Sequence, residues 1–293
     1  MHFAGCPPPA RYWRAVLWLG LATLGARAAV PAGSFPELLN QGKIEPLEAA
    51  RILQEFRQAG IRGEFFLEVE FRARPARGPE RVYRGRLWGG RNDRGATLRL
   101  ELLDAEGASQ RWLVQNGVGG QVWQWRHGRA EVLGPRDLCR PLIPGLEITA
   151  FDVQMPFLYW PEATFEKTTR SVLGRPAYAF RVLVPAAVAA EYGEIAAARA
   201  FLDTQFNALI QTELISPTNR VLKSFAFVSL KKIGDQYVPK QADYRNEVTR
   251  DKTRLQITGA ALNLMLGANF FAPDSLAEPA PLPSPDLIVR IAP

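Results

Sequence analysis

Residues 63–72 read Gly63-Glu64-Phe65-Phe66-Leu67-Glu68-Val69-Glu70-Phe71-Arg72. Phe65, Leu67, Val69 and Phe71 alternate with Glu68, Glu70 and Arg72. Successive side chains of an extended chain point to opposite faces, so this stretch is a strand with one buried face. Such a face needs a cover, and the preceding residues supply one. Pro46 suits a first helical position, Leu47, Ala50, Leu53 and Phe56 recur at three-residue spacing, and Gly60 stops the run, which predicts an amphipathic helix.

The same period-two pattern recurs downstream. Leu98, Leu100 and Leu102 alternate with Thr97, Arg99 and Glu101, and Trp123 and Trp125 alternate with Gln124 and Arg126 after an Asn116-Gly117 turn. Tyr178, Phe180, Val182 and Val184 form a further run ended by Pro185. More strands are expected at 200–203, 208–215, 222–233, 236–245 and 253–259, parted by turn-like Ser216-Pro217-Thr218-Asn219 and Gly234-Asp235. Residues 148–168 crowd Phe151, Met155, Phe157, Leu158, Tyr159 and Trp160 around Pro156 and Pro161 without alternation, and read as a short helix and loop. The Ala-rich span 186–198 fits helix or loop, and the proline-rich residues 277–293 favour an extended tail with no core of its own. The tally is about ten strands and few helices, a mainly β (α+β) chain built on one strongly curved antiparallel sheet. Each strand shows one apolar and one charged face, so one side of the sheet is expected to be covered.

The N-terminal residues have the three-part form of a cleavable secretion signal: Arg11 and Arg14, an uncharged run from Ala15 to Gly25, then Ala26-Arg27-Ala28. Cleavage is expected after Ala28, giving a leader over 1–28, an extension over 29–44, one β-domain over 45–276 and a tail over 277–293. Cys6 precedes the apolar run and leaves with the leader, so no cysteine stands where a lipoprotein carries its lipid. Cys139 then has no internal partner for a disulfide and is expected to act as a small buried hydrophobe. Of the 36 basic residues three lie in the leader, leaving 33 against 29 acidic ones, a mild excess. The charges alternate in sign, as in Arg250, Asp251, Lys252 and Arg254, which describes a solvated sheet face better than a nucleic-acid footprint.

Catalytic and cofactor chemistry finds little to work with. The mature chain has a single histidine, His127, and a single cysteine, so the usual zinc sets cannot be assembled, and no metal or cofactor is expected. His127 sits between Arg126 and Gly128, and no Gly-x-Ser-x-Gly elbow accompanies it. Gly117-Val118-Gly119-Gly120 lacks the lysine and helix of a phosphate loop and reads as a hairpin turn. Glu68 and Glu70 fall on the polar face beside Arg72, where ion pairing is the default. The chain is, however, rich in aromatics, with seven Trp, seven Tyr and sixteen Phe. Singly these are ordinary core residues. As a set on an open sheet with few helices, they could line an apolar pocket, and lipid chains suit one.

Several segments carry a resemblance to the outer-membrane lipoprotein-sorting family, the LolA-like carriers. They are the opening helix followed by Gly63-Glu64-Phe65-Phe66, the turn Gly174-Arg175-Pro176-Ala177-Tyr178, and Phe201-Leu202-Asp203. The more specific part is C-terminal: Phe225 to Lys232, Ile233-Gly234-Asp235-Gln236-Tyr237-Val238-Pro239-Lys240, Thr253-Arg254-Leu255-Gln256-Ile257, and Asn269-Phe270-Phe271-Ala272-Pro273-Asp274-Ser275-Leu276. The resemblance covers roughly residues 45 to 276 and implies an unclosed half-barrel, capped by helices that act as a lid over an apolar cavity for acylated lipoproteins. It implies no enzyme and no catalytic residue. An arginine on the sheet ties down the lid in such carriers, and Arg84, Arg86 and Arg99 are the candidates.

The expected cavity residues are Phe65, Leu67, Val69, Phe71, Leu98, Leu100, Trp123, Trp125, Tyr178 and Phe180, and the expected lid is Phe157, Leu158, Tyr159 and Trp160. The expected partners are a lipid or acylated lipoprotein in the periplasm and a membrane-associated protein, with no nucleic acid and no metal. The rival expectation is a structural or interaction module, or a lipid sensor, on the same fold.

Overall fold

The computed structural model describes residues 44–292. The expected leader, Cys6 and all of the N-terminal extension except Ile44 lie outside the described residues. Two antiparallel meanders make one sheet. The first runs β1 (Glu64–Arg74), β2 (Arg81–Asn92), β3 (Gly95–Leu103), β4 (Ser109–Gln115), β5 (Gln121–Arg126) and β6 (Arg129–Val132). The second runs β7 (Ala163–Val172), β8 (Arg175–Leu183), β9 (Ala197–Asp203), β10 (Leu209–Ile215), β11 (Val221–Ile233), β12 (Gln236–Asn246) and β13 (Lys252–Leu264). Antiparallel pairing of β1 with β13 welds the two, giving the order β6-β5-β4-β3-β2-β1-β13-β12-β11-β10-β9-β8-β7. A fourteenth strand, β14 (Val289–Arg290), adds to β13. The chain is thus an unclosed, mainly β half-barrel with a few helical caps.

The strands missing from the sequence reading have physical reasons to be quiet. In β2 the inward positions are Tyr83, Gly85, Leu87 and Gly89, opposite Phe71, Val69, Leu67 and Phe65 of β1. Glycine at every second inward site erases the apolar alternation. It is required there: a Cβ on Gly89 would lie 2.0 Å from the Phe65 ring, and one on Gly85 would lie 2.6 Å from the Glu101 carbonyl oxygen. In β4, Trp112 and Val114 face inward while Leu113 faces outward, and all three are buried, so no period of two survives. Strand β7 begins at Ala163, inside the stretch expected to be loop.

Helix α1 (Pro46–Gln58) starts with proline at its first turn as expected. Its buried face is Ala49, Ile52 and Leu53, with Leu47 and Ala50 in solvent. Strict three-residue spacing drifts around a helix of 3.6 residues per turn, so the sequence stripe and the packed stripe coincide only near Leu53 and Phe56. The helix covers Phe180 and Leu202, with Tyr178 and Phe165 at the edge.

Most of the inner face is filled by residues 133–160. Short helices α2 (Pro135–Leu138) and α3 (Ala150–Gln154) and the 3-10 turn Pro156–Tyr159 bring Leu133, Leu138, Ile143, Leu146, Phe151 and Phe157 onto Leu67, Val69, Phe71 and Leu100. Thr149 and Asp152 form a reciprocal cap that starts α3. Each large side chain buried here contributes roughly 1.5–3 kcal/mol.

The outer face is not left bare. Phe66 and Trp88 meet Phe270, Ala261 and Ala280 there, in a second small core under the C-terminal residues. Arg99 and Glu101, buried on the same face, pair at 2.8 Å. Arg99 also donates to Ser275 and to the Glu278 carbonyl, and Glu101 accepts the Ala280 amide. The proline-rich segment therefore docks on the sheet, with Ile291 buried and its amide donating to the Thr258 carbonyl oxygen. The expectation of a sheet covered on one side is corrected here: the aromatics Phe66 on β1 and Trp88 on β2 make an outward apolar patch that residues 270–288 cover.

Candidate functional site

Hairpin β11–β12 leaves the sheet on both sides. Strand β11 pairs with β10 only from Val221 to Ala226, and β12 pairs with β13 only from Gln241 to Arg245. Beyond these points, residues 227–240 pair only within the β11–β12 hairpin among the described strands. The chain's own β14 sits beside β13 at Gly259 and Ala260, past the point where β12 leaves it. Among the described residues no strand fills the gap between β10 and β11.

A groove of about 730 Å³ lies at this gap. Its floor includes Phe65, Leu98, Leu209 and Phe227, its roof includes Phe56, Ile61, Leu158 and Tyr159, and its outer lip carries Leu173, Phe206, Leu230 and Tyr237. Because the strands part, residues of both sheet faces reach it: Phe65 and Leu98 belong to the main core, whereas Ile210 packs with Val172 and Phe201 in an outer cluster.

Three arginines frame the groove. Arg57 of α1 donates from Nε to the Leu158 carbonyl oxygen at 2.5 Å and stands 5.7 Å over the Tyr159 ring, joining the helix to the 3-10 turn. Burial holds the Arg57 guanidinium below its ordinary value and pushes the Tyr159 phenol up. Arg91 of β2 donates to the carbonyls of Arg57 and Ala59 at 3.2 and 3.1 Å, where α1 ends with unsatisfied acceptors. Arg175 pairs with the buried Asp203 at 2.7 Å and lies over Phe206. The tip of the β11–β12 hairpin is held by Arg62, which pairs with Asp235 and whose amide donates to Gln236 at 2.7 Å.

Of the ten expected cavity residues, Phe65 and Leu98 line the groove. Leu67, Val69, Phe71 and Leu100 are buried beneath residues 133–160, and Tyr178 and Phe180 pack under α1. Trp123 and Trp125 face outward, since Trp123 stands opposite Leu113 and Arg111 lies over the Trp125 ring. The inward residues of β5 are Val122 and Gln124, one step out of phase with the conspicuous tryptophans. Of the expected lid, Leu158 and Tyr159 line the groove, whereas Phe157 and Trp160 pack with Phe151 and Tyr192 in a fixed aromatic cluster. Arg84, Arg86 and Arg99 all face outward. The arginine that ties the sheet to α1 is Arg91, legible as the next inward position after Gly85, Leu87 and Gly89.

Elsewhere, His127 is an exposed turn residue 3.3 Å from Glu131. Glu70 pairs with Arg72 at 2.6 Å, and Glu68 with Arg290. Among the described residues no three His, Cys, Asp or Glu side chains gather as a metal set, and no helix is long and apolar enough to cross a membrane.

No protein-family model and no curated protein matches the sequence. Solved structures do. A domain from Vibrio parahaemolyticus, provisionally described as an outer-membrane lipoprotein-sorting protein, aligns over 82% of this chain and 100% of its own, with a TM-score of 0.66 at 14% identity. A DUF1329-family protein from Desulfovibrio piger aligns over 80% and 100%, with a TM-score of 0.65 at 11% identity. A LolA-superfamily protein from Nitrosomonas europaea aligns over 78% and 99%, with a TM-score of 0.58 at 16% identity. With the open sheet, the inner helical caps and these alignments taken together, the chain has the half-barrel fold of the LolA-superfamily and lipoprotein-sorting structures.

Proposed function

We propose that this protein is an exported periplasmic binding protein that holds the acyl chain of a lipid or lipoprotein without making or breaking a bond. The observation that carries this reading is the apolar groove at the parted strands, in a fold shared with a lipoprotein-sorting domain. Its volume of about 730 Å³ falls within the roughly 300–1,000 Å³ usual for small-ligand sites. Each methylene transferred from water contributes about 0.8 kcal/mol, so one long acyl chain gains roughly 10 kcal/mol gross. Phe65, Leu98, Leu158 and Tyr159 are the proposed contacts, joined by Phe56, Leu209 and Phe227.

A second reading, an interaction scaffold, is favoured by one observation: residues 133–160 already fill most of the inner face. Native mass spectrometry of protein purified from the periplasm, followed by organic extraction, separates the two. A stoichiometric lipid or acylated peptide is expected. A protein that comes out empty and also refuses a fluorescent fatty acid in solution would sink the binding reading and leave the scaffold. Leu209→Glu, which places a charge on the groove floor, is expected to weaken fatty-acid binding at least tenfold with the fold retained by circular dichroism.

A further inference from the structure

Alternation of strand direction sends the β7–β8, β9–β10 and β11–β12 turns, and the end of β13, to one end of the sheet. These tips are neighbours in the strand order, and each carries an exposed large apolar residue. Leu173 is 57% exposed, Phe206 63%, Tyr237 64% and Met265 95%. The opposite end differs. Its short turns read Ala76-Arg77-Gly78, Asp104-Ala105-Glu106-Gly107, His127-Gly128, Ser216-Pro217-Thr218-Asn219 and Glu247-Val248-Thr249-Arg250, with Val248 the one large apolar residue among these turns, and the exposed Val82, Leu103 and Leu183 at that end lie within β2, β3 and β8. Isolated apolar side chains on a surface need no explanation, but four on adjacent tips, three of them lining the mouth of an apolar groove, do.

We infer that this end of the sheet docks on an anionic phospholipid bilayer, with Leu173, Phe206 and Tyr237 entering the interface. Charge points to a lipid surface. Lys232 stands directly opposite Tyr237 on the hairpin and Lys231 lies beside it. Both lysines are exposed and engage no carboxylate among the described residues, whereas the carboxylates of Asp203 and Asp235 at the same end are taken by Arg175 and Arg62. Free cations beside apolar and aromatic tips are what an anionic headgroup layer attracts. The shape agrees, because separate hairpin tips match a deformable layer better than the continuous complementary surface that a folded partner needs. Docked in this way, the groove between β10 and β11 opens onto the bilayer, and an acyl chain could enter it without crossing water. That purpose rests on the acyl-binding reading; the docking itself does not.

Flotation of the purified protein with vesicles tests it, comparing phosphatidylglycerol–phosphatidylcholine mixtures with pure phosphatidylcholine at low and physiological salt. The wild type is expected to float with the anionic vesicles and to lose most of that binding with pure phosphatidylcholine. Leu173→Asn/Phe206→Ser/Tyr237→Ser is expected to lower the bound fraction at least tenfold, and Lys231→Glu/Lys232→Glu to abolish the preference for anionic vesicles. Val248→Ser, at the other end, is expected to bind as the wild type does. All the substituted side chains are exposed, and circular dichroism checks the fold. A wild type that ignores anionic vesicles, or a triple variant that floats equally well, overturns the inference. Fatty-acid binding measured on the same samples keeps the two proposals apart: an intact groove with no flotation removes the docking surface and leaves the proposed function standing.

Discussion

Arg99 and Glu101 stand two apart on β3, where strand alternation alone makes them surface charges. Both are buried, because residues 270–280 return across them. Removing one member of a buried pair strands the other, which costs about 3–5 kcal/mol. Arg99→Met is therefore expected to lower the urea-unfolding free energy by about that much, and Arg99→Met/Glu101→Leu to recover part of it. Cys139 makes a second case. Burial pushes its thiol up to about 11 from an ordinary 9.0, with the Asp152 carboxylate adding to the rise. The folded chain thus holds this proton more tightly than the unfolded chain. The contribution is complete below about pH 9 and is lost as pH climbs toward 11. Urea midpoints from pH 8 to 11 are expected to fall less steeply in Cys139→Ala than in the wild type. Cys139, expected to be a small buried hydrophobe, is half-buried against the main core. The burial of Arg99 was not legible, because its cover lies some 170 residues downstream and only tertiary packing brings it there.

At the scale of elements, legibility followed periodicity. Strands β1, β3 and β8 announce themselves because their inward positions are consistently apolar, whereas β2 hides because two of its inward positions are glycine. Those glycines are structural demands. Gly85→Ala puts a Cβ 2.6 Å from the Glu101 carbonyl oxygen, a backbone atom that cannot swing away, and is expected to destabilise the protein by about 1–3 kcal/mol in urea titration. The groove was half legible for a related reason. Phe65 and Leu98 follow from alternation, but the parting of β10 from β11 is a fact of pairing, invisible in a sequence whose strand signal runs unbroken through residues 222–233. Arg91 illustrates what a correct register adds. Since it bonds the last carbonyls of α1, Arg91→Ala is expected to speed amide exchange in the last turn of that helix while leaving the helix start unchanged.

For the whole molecule, the order of strands explains why β1, β13 and the residues after β13 matter as much as the strands between. Strand β1 lies next to β13, so the half-barrel closes its central seam only when the second meander is complete. The C-terminal residues then seal the outer face. Deleting everything after Leu276 strips Ala280 and Ile288 from the cluster around Trp88 and Phe66 and removes the Glu278 and Ala280 groups that satisfy Arg99 and Glu101. A loss of about 2–4 kcal/mol is expected by urea unfolding, together with greater dye binding by the exposed patch.

The free hairpin 227–240 has one more consequence. Among the described residues its two strand edges are unpaired, and such edges offer amides and carbonyls to any other extended chain, the situation from which fibres and amorphous clumps grow. The arm carries its own deterrents: breaks in register between Phe227 and Leu230, a proline at 239 with no amide to give, and the charges of Lys231 and Lys232. Lys231→Thr/Lys232→Thr/Pro239→Val would turn the same hairpin into a straight, uncharged template, and light scattering is expected to show that variant self-associating at concentrations where the wild type stays dispersed.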